Sequence, residues 1–365
     1  MQDALKGPSM KNTKKTVFLT GGSGLLGQAL LDAMVDEDII ALRHRTPIAH
    51  ASVRVVQGDI RQPLLGMTAS EYARIVNSID VIIHSAAMTR FSARSQEILD
   101  TNLEGTREVV KLAARAGARL IYLSTAFVHQ KASELEPVSA YEDSKRTAEA
   151  VVRGLGARSV IVRPSIIIGH SQTGHVSTYQ GLHTALGSVV EHALPVLPAT
   201  PDMLCDFVAQ DWVSDAIWGA VHHPAPAAEL WVTSGTHALT VAASVTIALD
   251  IGERYGFSGE APRFVPYETL QRLFIPVFLE TFPGPMKRRF EAHLKLARYM
   301  NQVAPLPSSE SYLETTFGLF PRATPETVLR RNMEQWTRRR LQNAAEPDNK
   351  VAQVQRAVCT ASGVA

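Results

Sequence analysis

Tyr141 and Lys145 stand four residues apart in "YEDSK". On a helix that spacing puts both side chains on one face. A free phenol, with a pKa near ~10, is a poor acid–base group at neutral pH. An ammonium one turn away favours the phenolate and lowers that value. Any long chain can carry such a pair by chance on an exposed helix. Position singles this one out, because it follows "LIYLSTAFV" and precedes "SVIVRPSIII", both patterned as buried strands. The first of these also supplies hydroxyls. Ser124 and Thr125 both qualify chemically to donate to a carbonyl oxygen as negative charge develops on it.

A second constellation lies near the start. "LTGGSGLLG" spans 19–27 and places Gly21, Gly24 and Gly27 three residues apart, between the apolar run "TVFL" and a helical pattern. Glycine costs backbone entropy, so something must come close there. An anion cradled by helix-start N–H groups is one answer, and a tight turn with no ligand is the other. The strand–turn–helix context favours the pyrophosphate of a dinucleotide, with Gly21, Ser23, Gly24, Leu25 and Leu26 forming the cradle. An NAD site places an acid after the second strand to hold the ribose hydroxyls. Here the chain reads "IIALRHRTP", so Arg43 and Arg45 stand where a 2′-phosphate would lie, and NADPH is the expected cofactor. Two solvated loop charges are the alternative. A bound oxidised nicotinamide would add its positive charge to that of Lys145 in favouring the Tyr141 phenolate.

These residues need a scaffold, and the hydropathy pattern outlines one. Strands are expected at "TVFLT", "DIIALR", "VRVVQGD" (ending at Asp59), "DVIIHSAA", "RLIYLST", "SVIVRPSIII" and "ELWVTSG". Helices are expected at "GLLGQALLDAMVD", "YARIVNSI", "TNLEGTREVVKLAARAG" (ended by Gly117) and "YEDSKRTAEAVVRGL". This alternation implies an α/β fold, a doubly wound parallel sheet covered on both faces. Residues 1–13 read as a disordered leader. Residues 14–169 plus about 206–235 form the nucleotide-binding domain. Residues 170–205 plus 236–340 form a smaller, partly discontinuous substrate-binding subdomain, with no clear periodicity over 169–204, and 341–365 read as a loose tail.

The segments "TGGSGLLG", "GDI", "HSAA", "TNLEGT", "LSTAFV", "YEDSK" and "VRPSIIIG" together resemble the extended short-chain dehydrogenases/reductases over residues 16–170. The resemblance selects Thr125 over Ser124 as the catalytic hydroxyl, beside Tyr141 and Lys145, and leaves Ser124 satisfied at its strand end. It implies that Asp59 and Ile60 flank the adenine and that the cofactor backbone passes over Ala86 and Ala87. Asn102 and Lys145 lie near the nicotinamide ribose, a role compatible with Asn102 capping its helix, and Pro164 and Ile167 line the nicotinamide pocket. "HSAAMTRF", "LSTAFV" and "RPSIIIGHSQTG" are similar to the thioester-reductase and fatty acyl-CoA reductase branch. That branch implies NADPH-dependent reduction of an acyl thioester, on coenzyme A or a carrier protein, to an aldehyde or alcohol. A ketone, aldehyde or hydroxysteroid-type reductase would use the same three residues. A non-catalytic cofactor-binding protein would ordinarily have lost the Tyr–Lys pair.

The remaining features narrow the field. A net charge of +2 offers no electrostatic argument for nucleic acid. Cys205 and Cys359 make neither a disulfide framework nor a nucleophile motif, and the twelve histidines show no metal-ligand spacing. No apolar run reaches the roughly 18 residues of a spanning helix, and the start lacks a signal-peptide core, so a cytoplasmic location is expected. Residues 270–290 read either as an acyl-facing or peripheral membrane-contacting helix with a basic end or as an ordinary core helix. Asp211 is expected to cap a helix.

Overall fold

Seven short apolar segments pair into one parallel sheet in a computed structural model of the chain. It describes residues 14–33, 36–89, 95–129, 139–179, 181–275 and 302–345, with single helical positions at 284, 287, 291, 294 and 297. The strands are β1 (Thr16–Thr20), β2 (Asp38–Arg43), β3 (Val53–Gln57), β4 (Val81–His84), β5 (Arg119–Leu123), β6 (Ser159–Pro164) and β7 (Glu229–Val232). Their order is β7-β6-β5-β4-β1-β2-β3, and every pairing is parallel. β1 lies between β2 and β4, so the chain leaves it in opposite directions on its two sides. That switch opens a crevice at the carboxyl ends of β1 and β4.

The covering helices are α1 (Leu25–Ala33), α2 (Ala69–Val76), α3 (Gly105–Ala116), α4 (Ala140–Arg153) and α5 (Gln210–His222). Phe18, Ile82, Leu120 and Tyr122 from the strands pack against Val109, Leu112, Ala148 and Val152 from the helices, all buried. Local chemistry sets the helix ends. Ser139 accepts from the Glu142 N–H while the Glu142 carboxylate accepts from the Ser139 N–H, a capping box that places Tyr141 in the first turn of α4. Gly117 ends α3 at φ 66°. Beyond β3, Leu64, Leu65 and Gly66 adopt left-handed φ values of 54°, 56° and 69°. Two leucines there are strained, and the burial of Leu65, whose carbonyl accepts from the Asp59 N–H at 2.8 Å, holds them in place.

The chain divides into two compact units. The first comprises residues up to Ile167, Asp206–Ala238 and Gln302–Arg322. Residues 302–322 are a correction to the expected substrate subdomain. They cover the open edge of β7, where the Ser309 N–H donates to the Trp231 carbonyl at 2.8 Å and the Trp231 N–H to Ser309 Oγ at 2.9 Å. Phe317 occupies the space left by Gly219, whose Cβ would lie 2.2 Å from its ring.

The second unit comprises Ile168–Cys205, Leu239–Asn301 and Ala323–Ala365. Its helix Gly181–Val190 falls in the stretch where the sequence shows no periodicity, and it packs against helices Val241–Arg254 and Pro325–Ala345. Small residues permit that contact: a Cβ on Gly187 would meet the Trp336 ring at 2.3 Å. The last helix continues to Ala345, past the expected tail boundary at 341, because Arg338 reaches the Tyr255 hydroxyl and Arg340 pairs with Glu191 at 2.6 Å. The leader, residues 346–365 with Cys359, and most of 276–290 lie outside the described residues.

Three boundaries differ from the sequence reading. β3 stops at Gln57, because the Gly58 and Asp59 N–H groups turn to bond the Arg43 and Leu65 carbonyls. "SVIVRPSIII" breaks after Pro164, whose neighbour Ser165 donates its N–H to Val232. Asp211 caps nothing: it lies within the first turn of α5, 3.5 Å from Arg322.

Candidate active site

The glycine turn separates into two kinds of glycine. Gly21 has φ 79°, and a Cβ on it would lie 2.6 Å from the Ala86 nitrogen. A Cβ on Gly27 would lie 2.1 Å from the Gly21 carbonyl oxygen. The fold itself demands those two. Gly24 is exposed, and its Cβ would meet only the Gly21 oxygen, at 3.3 Å. Packing leaves open space above Gly24, at the first turn of α1, where N–H groups lack intrahelical acceptors. Such a cradle fits a pyrophosphate. Leu25 and Leu26 are buried, so they can contribute only their backbone, while Ser23 is exposed. Gly24→Ala is therefore expected to keep the melting temperature within about 2 °C while weakening nucleotide binding about tenfold or more. Gly27→Ala is expected to lower stability by several kcal/mol, on the order of ~3, because backbone must move. Thermal melts and nucleotide titration of both variants check this pair.

Arg43 ends β2 exposed, and its Nε donates to Gln57 Oε1 at 2.9 Å. Its two terminal amino groups have no partner among the described residues. Arg45 is exposed beyond the strand end. Asp59 is held by Arg61 through contacts of 2.7–3.1 Å and by His44 at 3.4 Å, and the Arg61 guanidinium keeps its carboxyl below the usual range. The Ile60 side chain is buried in the space Gly105 leaves, so only its backbone faces outward contacts. Ala86 and Ala87 are half-buried just past β4. Pro164 closes β6 buried, and Ile167 is half-buried.

Thr125, Tyr141 and Lys145 come together at the carboxyl end of β5. The Thr125 hydroxyl lies close enough to the half-buried Tyr141 phenol to draw its pKa down. Lys145 is 3% exposed and donates from Nζ to the Leu123 carbonyl at 2.6 Å, with the Tyr122 ring 4.8 Å away. In the protein alone the electrostatics run the other way. Burial pushes the Tyr141 phenol up, to about 12, against the downward pull of the Thr125 hydroxyl. Burial lowers Lys145 to about 7, opposed by the nearby Glu149 carboxylate. Desolvation thus outweighs any Lys–Tyr attraction in the protein alone. Tyr141 stays protonated at neutral pH, as a proton donor must.

Ser124 is satisfied elsewhere: its hydroxyl donates to Glu149 Oε1 at 2.6 Å. Glu149 also takes a two-pronged contact from the buried Arg163 at 2.8 and 2.7 Å, and Arg163 continues to Glu229 at 2.6 Å. That network ties α4 to β6 and β7. Asn102 sits mid-way through a π-helical turn, Asp100–Glu104, and caps nothing. It is 1% exposed; its amide donates to the Met88 carbonyl at 3.1 Å and to Ser144 Oγ at 3.0 Å, while Oδ1 accepts from the Met88 N–H at 2.7 Å. Both amide protons are committed to protein, leaving one lone pair for anything else.

The sequence reading passed over Glu149 and His84. Glu149 falls on the same face of α4 as Tyr141 and Lys145, and His84 is the one ionisable residue inside an otherwise apolar buried strand. Both signals were visible in the pattern.

Residues 41–217 match the NAD-binding family described as male sterility protein. Equisetin synthetase eqxS of Fusarium heterosporum is 36% identical over 159 residues, 39% of this chain and 4% of that protein. The fatty acyl-CoA reductase wat of Drosophila melanogaster is 26% identical over 146 residues, 32% of this chain and 28% of that protein. The chain thus spans only a small part of these relatives. Over nearly its whole length it superimposes on the terminal R domain of the myxalamid PKS-NRPS biosynthetic pathway. The TM-score is 0.71 at 22% identity, covering 90% of this chain and 92% of that one, which shows a shared fold. Just under half of the chain thus carries the match to this NAD-binding family, and 90% of it shares the R domain's fold. Among the described residues no cluster suits a metal ion, and no helix is long and apolar enough to cross a membrane.

Proposed function

We propose that this chain reduces an acyl thioester, carried on coenzyme A or a carrier protein, to an aldehyde or alcohol with NADPH. The Thr125 and Tyr141 hydroxyls, gathered beside buried Lys145 at the carboxyl end of β5, carry the reading. The nicotinamide cofactor supplies hydride to the thioester carbonyl carbon. The carbonyl oxygen lies between the Thr125 and Tyr141 hydroxyls, which donate to it as negative charge develops. Tyr141 gives up its proton to that oxygen, and its raised pKa keeps the proton available across the neutral range. Lys145, charged in part near neutrality, is placed to restrain the phenolate so formed. The resulting hemithioacetal would lose thiol to give the aldehyde, and reaching the alcohol would require a second molecule of NADPH bound in exchange for the oxidised first, with Tyr141 again donating the proton. Neither Thr125, Tyr141 nor Lys145 forms a covalent bond to the acyl group.

NADPH is favoured by Arg43. Its Nε is anchored on Gln57, leaving two amino groups of a planar fork without a partner among the described residues, at the end of β2 where a 2′-phosphate would be met. The carboxylate that follows β3, Asp59, is already engaged by Arg61. Arg43→Ala is expected to raise the KM for NADPH by about 10–100-fold with little change for NADH. An equal effect on both nucleotides would remove the argument.

The test of the function is NADPH-dependent release of free thiol from acyl-CoA thioesters and from acylated carrier proteins, with NADH alongside. Thiol release matched to nucleotide oxidation supports the reading. Oxidation of NADPH by ketones or aldehydes, with no thiol released from either kind of thioester, would overturn it in favour of a carbonyl reductase.

A further inference from the structure

Thr20 and His84, the last residues of β1 and β4, face each other in register at the switch of the sheet. Neither belongs to the chemistry above, and both are buried. The imidazole lies between two hydroxyls, with Nδ1 2.7 Å from Thr20 Oγ1 and Nε2 3.0 Å from Thr106 Oγ1. The direction of every bond in this row follows from its far end. Thr106 Oγ1 is 2.6 Å from the Asn102 carbonyl, which can only accept, so the Thr106 proton points there. The Thr106 oxygen must then accept, and His84 Nε2 carries the hydrogen. Nδ1 is left as an acceptor for the Thr20 hydroxyl, whose oxygen in turn accepts from the Ala86 N–H at 3.3 Å. The ring is neutral here, since burial and the nearby Lys145 ammonium push its pKa down to about 3.

We propose that His84 is a positioning residue for the nucleotide site: as the Nε2–H tautomer it sets the spacing between the strand end bearing the glycine turn, the Ala86 backbone, and the π turn of Asn102. The far end of the row reaches the catalytic helix. Asn102 holds Ser144, and Ser144 donates to the Tyr141 carbonyl at 2.7 Å. A continuous buried row of polar groups therefore runs from β1 to the first turn of α4, and His84 is its one rigid double-ended link. The binding role of His84 rests on the nucleotide reading given above; its tautomer does not.

The experiment uses the full chain in two arms. In the first, the imidazole nitrogens are isotope-labelled and observed by NMR, with His84 assigned by the signals lost in His84→Gln. The expected result is a ring protonated at Nε2 and bare at Nδ1 that does not titrate between about pH 8 and pH 5. A proton on Nδ1, or titration in that range, overturns the proposal. The second arm compares Thr106→Val, which keeps the shape but removes the hydroxyl, with Thr106→Ser, which restores it. Val at 106 is expected to weaken NADPH binding about tenfold, and Ser to remain within about twofold of wild type. A Thr106→Val protein that melts lower yet binds NADPH like wild type would show a merely structural residue and overturn the proposal. A wild-type chain that binds neither NADPH nor NADH would remove the functional reading and the binding role together, and the labelled-ring result would still decide the tautomer.

Discussion

Tyr141→Phe is expected to lower turnover by about 10³-fold or more while leaving the dissociation constant of NADPH within about twofold. The substitution removes one oxygen and keeps the ring, so α4 and its capping box stay in place. What disappears is the proton donor and half of the pair that meets the developing oxyanion, with Thr125 left as the remaining hydroxyl. Single-turnover oxidation of bound NADPH by a thioester, beside equilibrium nucleotide binding, measures the two quantities separately. Turnover unchanged by the substitution would sink the proposed mechanism. Thr125→Val, by the same logic, should cost about 10²-fold, since Tyr141 keeps its proton but loses the hydroxyl beside it.

Lys145→Met is expected to abolish turnover and yet raise the melting temperature at neutral pH, by about 5 °C. The sign follows from the direction of the shift. Burial takes Lys145 from 10.5 down to about 7. Between those values the unfolded chain binds a proton that the folded chain has released, so stability rises with pH through that window. The destabilising contribution of the ammonium is fully present below about pH 7 and fades as pH climbs toward 10.5. Methionine fills nearly the same space without the charge. The gap in melting temperature between variant and wild type should therefore narrow steadily from pH 7 to 10. A gap constant across that range would mean that Lys145 is not titrating as its burial demands. Stability surrendered to keep a charge buried is a common cost of function, and for the role proposed for Lys145 pH makes it measurable.

Much of this protein was legible in its sequence. The strands at Thr16–Thr20, Val81–His84 and Arg119–Leu123 are apolar runs of one period, and the helices between them carry apolar residues at another. Hydrophobic periodicity and turn residues act over a few positions, so they determine which elements exist and, through their alternation, a parallel sheet. Gly21 and Gly27 announced a tight strand–helix turn and "YEDSK" the helix of Tyr141 and Lys145, while the Ser139–Glu142 capping box that starts that helix was passed over. Tertiary structure alone decided the rest. Residues 302–322 joined the first unit because the edge of a strand far away in sequence needed hydrogen-bond partners. The helix Gly181–Val190 owes its face to glycine-sized gaps that accept Trp336. The phenol and ammonium moved in pKa against the simple pairwise expectation, because desolvation depends on everything packed around a group and not on its neighbour one turn away. For the same reason His84, a lone polar residue in an apolar strand, acquired its tautomer only from Thr20 and Thr106, placed 64 positions before it and 22 after it in the chain.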